Sequence, residues 1–172
     1  NCNNKNSGSN DTTYTAEQMK DNPLVQESTL PYFAPDFTKI KDEHFQPALE
    51  YALQVEREAI EKIANNPDAP TVENTLVEME KAHDLIDRVS SVFYALAGAH
   101  TNETIKKLQA DMAPKFAAHS DNILLNDKLF QRIKSLYDKR SELGLEGEDL
   151  KLLEVKYQAF IKAGANLSDQ EK

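Results

Sequence analysis

Residues 71–100 read TVENTLVEMEKAHDLIDRVSSVFYALAGAH. Within them Leu76, Met79, His83, Ile86, Ser90, Phe93 and Ala97 recur at steps of three and four. A second stripe, Ala82, Leu85, Val89, Val92 and Leu96, runs beside the first. A strand would alternate every second residue; this spacing is helical, and two adjacent stripes make a face wide enough to pack on more than one side. Thr71 is a plausible N-cap. The segment is therefore expected to be a long helix at the centre of an all-α domain. Its small residues, Ser90, Ser91, Ala95, Ala97 and Gly98, would let neighbouring helices approach closely.

The same period extends in both directions. Upstream, Leu49, Ala52, Val55, Ala59 and Ile63 mark a helix from about Phe45 to Asn65, with Pro47 in its opening turn, where a missing N–H costs little. Asn66, Pro67, Asp68, Ala69 and Pro70 break the chain. Downstream, Thr101 or Asn102 caps a helix with Ile105, Leu108, Met112, Phe116 and Ile123 inward. Pro114 falls inside that pattern and predicts a kink, or a break one turn before it. Asn126 or Asp127 opens a further helix using Phe130, Ile133, Leu136 and Tyr137, closed near Gly144. The last uses Leu150, Leu153, Tyr157 and Phe160 and ends at Gly164. The expectation is an all-α bundle of about five helices.

Before the bundle lie two segments of different character. Residues 1–22, dominated by Asn, Ser, Thr, Asp and Lys, cannot bury enough apolar surface to offset their ordering entropy and read as a disordered polar tether. From Pro23 onward, Pro23, Pro31 and Pro35 alternate with Leu24, Val25, Leu30, Tyr32, Phe33, Phe37 and Ile40. Proline pushes its predecessor out of the helical region, so this is an extended arm, expected to lay its aromatics across the helices. At the other end Ser168 to Glu171 forms an S-x-x-E capping box, a helix start with one residue behind it. That signal predicts a boundary inside a longer polypeptide.

Charge and motif content exclude more than they identify. Twenty Lys plus Arg against 29 Asp plus Glu give a net charge of -9, contrary to a phosphate-backbone binder. No apolar run is long enough to span a bilayer, so a soluble domain is expected. There is no P-loop, no G-x-S-x-G and no G-x-G-x-x-G. The four histidines, His44, His83, His100 and His119, include no pair four apart, so H-E-x-x-H is absent. His83 reads as a buried, hydrogen-bonded core histidine rather than a ligand. His44 and His100 occupy ordinary surface positions, and His119 could face either way. Glu78, Glu80, Glu142, Glu146, Glu148 and Asp149 read as a solvated face. The N-x-S/T matches at Asn74, Asn102 and Asn166 are treated as chance. No catalytic residue, metal ligand or cofactor is expected from this chain.

Cys2, the single cysteine, has two readings. It could be the lipid-bearing first cysteine of a mature bacterial lipoprotein, with the polar segment as its tether; Asn1 before it counts against this, since that position is usually small. The other reading is an incidental cysteine in a tail.

Several segments, taken in order, resemble a known family. They are Asn22-Pro23-Leu24, Ser28 to Phe37, Ile40, His44 to Leu49, Asn66-Pro67, Glu73 to Leu76, Ala99 to Asn102, Arg140 to Leu145, Tyr157 to Phe160 and Ala163 to Ala165. The set is similar to the N-terminal region of the thimet-oligopeptidase-like (M3) zinc metallopeptidases, most of all their bacterial peptidyl-dipeptidase branch. The resemblance implies a longer, almost wholly helical enzyme of two halves around a deep channel. Zinc, bound by H-E-x-x-H and a later glutamate, lies in the C-terminal half, and a glutamate there activates the attacking water. The N-terminal helices would form the opposite wall, admit short unfolded peptides, and be inert alone. The missing catalytic domain is the implied partner. The implied location is the bacterial cell envelope, periplasmic or lipid-anchored, with the cytoplasm as alternative. An endo-acting oligopeptidase, or a freestanding helical envelope protein that binds peptides or a partner, are the competing readings. A part separated from its other half should expose an apolar face of several hundred Å².

Overall fold

A computed structural model describes residues 12–165. Among them the chain forms α1 (Ala16–Met19), α2 (Phe45–Ala64), α3 (Glu78–Ala99), α4 (Glu103–Leu124), α5 (Asp127–Asp138) and α6 (Gly147–Lys162), with no strand. The architecture is an all-α bundle, as the periodicity predicts, with the four-residue α1 added to five longer helices. Cys2, and the Ser168 to Glu171 capping box, lie outside the described residues.

Thr71 caps as predicted, and of the two paired candidates Asn102 and Asn126 are the ones used. Thr71 Oγ1 accepts from the Asn74 N–H at 3.0 Å while Asn74 Oδ1 accepts from the Thr71 N–H at 2.8 Å. Asn102 and Asn126 accept from the amides of Ile105 and Leu129. Between Thr71 and α3 the chain makes one wide π-type turn, Val72–Val77, which sequence period does not reveal. Gly164, at φ 89°, terminates α6 in the left-handed conformation expected of it.

Two apolar clusters make the core. The first joins Leu24 of the arm to Phe45, Leu49, Val89, Phe93, Ile105 and Met112; the second joins Ile60, Ile63, Leu76 and Met79 to Leu129, Phe130, Ile133, Leu153 and Phe160. Helices α2 and α3 contribute to both and form the most extensive pairing. The α5–α6 hairpin is closed by rings: Tyr137 stacks on Tyr157 at 3.8 Å, and the Arg140 guanidinium covers Tyr137 at 4.0 Å.

The structure corrects the sequence reading at several places. The hub is α2, not α3: α2 packs against α1, α3, α4 and α5, because its buried positions surround much of its circumference. Ser91, Ala95 and Gly98 of α3 face solvent, so no helix uses their smallness. Of the kink or break expected at Pro114, the break does not occur: α4 runs from Glu103 to Leu124 as one helix. The polar segment is ordered over residues 12–22, because Gln54 of α2 supplies the hydrogen bonds its own composition lacks. The Tyr14 N–H donates to Gln54 Oε1 and Gln54 Nε2 donates to the Tyr14 carbonyl, both at 2.9 Å, and Met19 is buried.

The arm follows its expected course only in part. Leu24, Val25 and Ile40 reach the first core, and Arg88 Nη2 holds the Val25 carbonyl at 2.7 Å. Tyr32 and Phe33 instead form a 3₁₀ turn with φ of 59° and 56°, and Tyr32 is wholly exposed. Left-handed backbone at such residues costs about 1–2 kcal/mol each.

Candidate functional site

Helices α3 and α4 both pack on α2 but contact one another little, and an open groove of about 520 Å³ lies between them. Its floor is Leu53 of α2; Ile86, Ser90 and Tyr94 of α3 form one wall, and Phe116, Ser120, Ile123 and Leu124 of α4 the other. Ala159 of α6 closes one side. The lining follows from helical spacing: Ile86, Ser90 and Tyr94, like Phe116, Ser120 and Leu124, lie four apart.

One polar cluster borders this apolar groove. Glu56 is 5% exposed, and its carboxylate is bonded from two sides: Oε2 lies 2.6 Å from His83 Nδ1 and Oε1 lies 3.0 Å from His119 Nε2. Burial works against the ionised form and is the largest single influence on Glu56. The bonds from His119 and His83 together outweigh it, so the carboxyl sits below its ordinary value. The imidazoles thus hold a charge that an apolar helix face could not hold unaided.

His83 is hydrogen-bonded as expected but its side chain is 60% exposed, not buried. It sits at the edge of the α3 stripe and reaches across to α2 instead of into the core. His119 is the more enclosed of the two. His44 is half-buried, its Nδ1 accepting from the Lys41 N–H, and His100 is exposed. Glu78, Glu80, Glu142, Glu146, Glu148 and Asp149 are exposed, as their solvated-face reading predicts; Glu80 pairs with Lys156 across α3 and α6 at 2.8 Å.

Sequence reasoning missed Glu56. The signal was present: residues 49, 52, 53, 56, 60 and 63 share one helical face, and Glu56 is the carboxylate among apolar neighbours. Arg132 was missed in the same way, lying between Leu129, Ile133 and Leu136. Its guanidinium binds Thr75 Oγ1, the carbonyls of Asn66 and Asp68, and Asn74 Oδ1 at 2.8–3.2 Å, fastening the α2–α3 connection onto α5.

Neither cluster suits zinc. The two imidazoles aim at opposite oxygens of one carboxylate rather than at a common point, and among the described residues no three His, Cys, Asp or Glu side chains are grouped to hold a metal ion. No described helix is long and apolar enough to cross a membrane.

No protein-family model matches the chain. It is, however, homologous to whole proteins of known name. The dipeptidyl carboxypeptidase of Salmonella typhimurium is 42% identical over 154 residues, 90% of this chain and 23% of that protein. That of Escherichia coli is 39% identical over 151 residues, 88% of this chain and 22% of that protein. Oligopeptidase A of Haemophilus influenzae is more distant, 23% identical over 151 residues and 21% of its length. The chain spans less than a quarter of each of these relatives.

Proposed function

We propose that this relative of the dipeptidyl carboxypeptidases is the N-terminal, channel-wall region of a peptidase that releases dipeptides from the C-termini of short peptides. The observation that carries the reading is identity of 39–42% along some nine-tenths of the chain, against only 22–23% of the relatives' length. A helical wall has no reacting group to supply. Its contribution is to exclude folded proteins and to hold an extended peptide toward the catalytic half, raising the rate through positioning. Zinc, held elsewhere in the whole enzyme, would supply the activated water. None of the residues described above holds it.

The test is expression of the whole open reading frame and of residues 1–172 separately, each offered N-blocked peptides with free and with amidated C-termini. Release of C-terminal dipeptides by the full-length protein alone, abolished by a chelator and restored by zinc, is the expected result. Cleavage of amidated peptides at internal bonds would favour the endo-acting reading, to which the 23% identity with oligopeptidase A gives some support. No cleavage of any peptide by the full-length protein would sink the proposal. The envelope location, and a lipid on Cys2, are tested by fractionating the source cells and weighing the mature N-terminal peptide.

A further inference from the structure

The groove between α3 and α4 is open and lined mainly by apolar side chains from two long helices. Each flanking helix has 22 residues, and two helices leaning on a third leave the fourth position of a bundle open. The walls present Ile86 and Tyr94 on one side and Phe116 and Ile123 on the other, with Leu53 beneath. Tyr94 is half exposed although its ring packs 5.4 Å from that of buried Phe93. Apolar side chains on a groove's floor and walls are costly in water and are stabilised once a second apolar stripe covers them.

We propose that in the whole protein this groove is filled by an amphipathic helix of the same polypeptide, drawn from the part that follows α6. Two observations select that occupant over a foreign peptide or a second copy. Ala159, one turn before the end of α6, borders the groove, so the polypeptide passes beside it as it leaves α6. And the relatives carry more than three-quarters of their length outside the stretch matched here, ample chain to supply the helix. The occupying helix presents an apolar stripe to Leu53, Ile86 and Phe116. A polar side chain on it faces the edge where His83 binds Glu56, since an apolar group there would strip water from the exposed His83 imidazole. The inference rests on the reading of this chain as one region of a longer peptidase.

The experiment places the photo-crosslinking residue benzoylphenylalanine at Tyr94 or, separately, at Phe116 of the full-length protein, irradiates it, and maps the adducts by mass spectrometry. Tyr94 is the milder site, being half exposed. Both positions are expected to crosslink within one molecule to a single stretch beyond α6, unchanged by dilution or by added peptide. Covalent dimers, adducts with the added peptide in place of an internal one, or unreacted probe at both positions would each overturn it. Peptide cleavage measured on the same samples separates the two readings. Dipeptide release without the internal crosslink removes the helix and leaves the function, whereas the crosslink without release does the reverse.

Discussion

Two buried ionic residues on apolar stripes decide how the helices are held. Glu56 is ionised in the folded protein at a pH where the unfolded chain would already take up a proton, since its carboxyl lies below the ordinary value of 4.5. The unfolded state therefore binds more protons, and Glu56 contributes stability that is present above that value and lost as pH falls through the lowered one. Glu56→Gln should lower the urea midpoint near neutral pH, and the gap from wild type should close in acid. A gap of constant size across that range would show that the charge contributes nothing. Arg132 is the stronger case. Arg132→Ala leaves the carbonyls of Asn66 and Asp68 and the side chains of Thr75 and Asn74 short of a donor. A loss of about 3 kcal/mol in chemical denaturation is expected. Arg132→Lys should recover little of it, because an ammonium cannot reproduce the planar fork.

At the scale of elements, α1 shows how a segment with almost no apolar content is ordered. Its four residues could not persist alone. They are held because Gln54 pairs with the Tyr14 backbone as a neighbouring strand would, and because Tyr14 Oη donates to Glu50 Oε2, itself paired with Lys115 Nζ at 2.6 Å. Burial first, then the bond to Glu50 and its charge, push the Tyr14 phenol up to about 12 from an ordinary 10.0. The raised value means the docked state prefers the neutral phenol. Docking is at full strength below the ordinary value and weakens as pH rises through the raised one. Amide hydrogen exchange should show residues 12–22 opening over that window while α2 and α3 stay protected. Gln54→Ala should produce the same local opening near neutral pH, and unchanged protection at Tyr14 and Met19 would refute the strand-like role. Proline 114 teaches the complementary lesson. Read locally it interrupts a helix, yet α4 passes through it, since Ile105, Leu108 and Met112 before it and the half-buried Phe116 and Ile123 after it remain on one packed face.

For the whole molecule, the two apolar clusters could have been two folding units. They are joined because α2 places Leu49 and Ala52 in one and Ile60 and Ile63 in the other, with α3 bridging them similarly. A lesion in the second cluster should therefore be felt in the first. Phe160→Ala, which empties a buried site against Phe130, should cost about 3–5 kcal/mol. It should speed exchange of the Ile105 and Met112 amides as much as those of α6. Exchange raised only in α5 and α6 would show two independent units. Large apolar side chains left exposed include Tyr94 beside the groove and the outward Tyr32 and Phe33.

The sequence by itself determined the class of fold, the cap at Thr71, the pairs Thr101 or Asn102 and Asn126 or Asp127 within which the next two caps fall, the end of α6 at Gly164, and the kinship to peptidyl-dipeptidases. The fold class, the caps and the helix end are matters of spacing or of neighbours within one turn, where the backbone's own geometry imposes the period; the kinship rests instead on the resemblance of ordered segments along the chain. Tertiary structure decided what depends on groups distant along the chain. Gln54, 40 residues from Tyr14, orders a segment that its composition would leave loose. His83 and His119, 27 and 63 residues from Glu56, make a buried carboxylate tolerable. The packing of α3 and α4 on α2 leaves between them a groove that neither helix encodes alone. A buried polar group is stable only where a partner meets it, and that meeting is a property of the packed molecule.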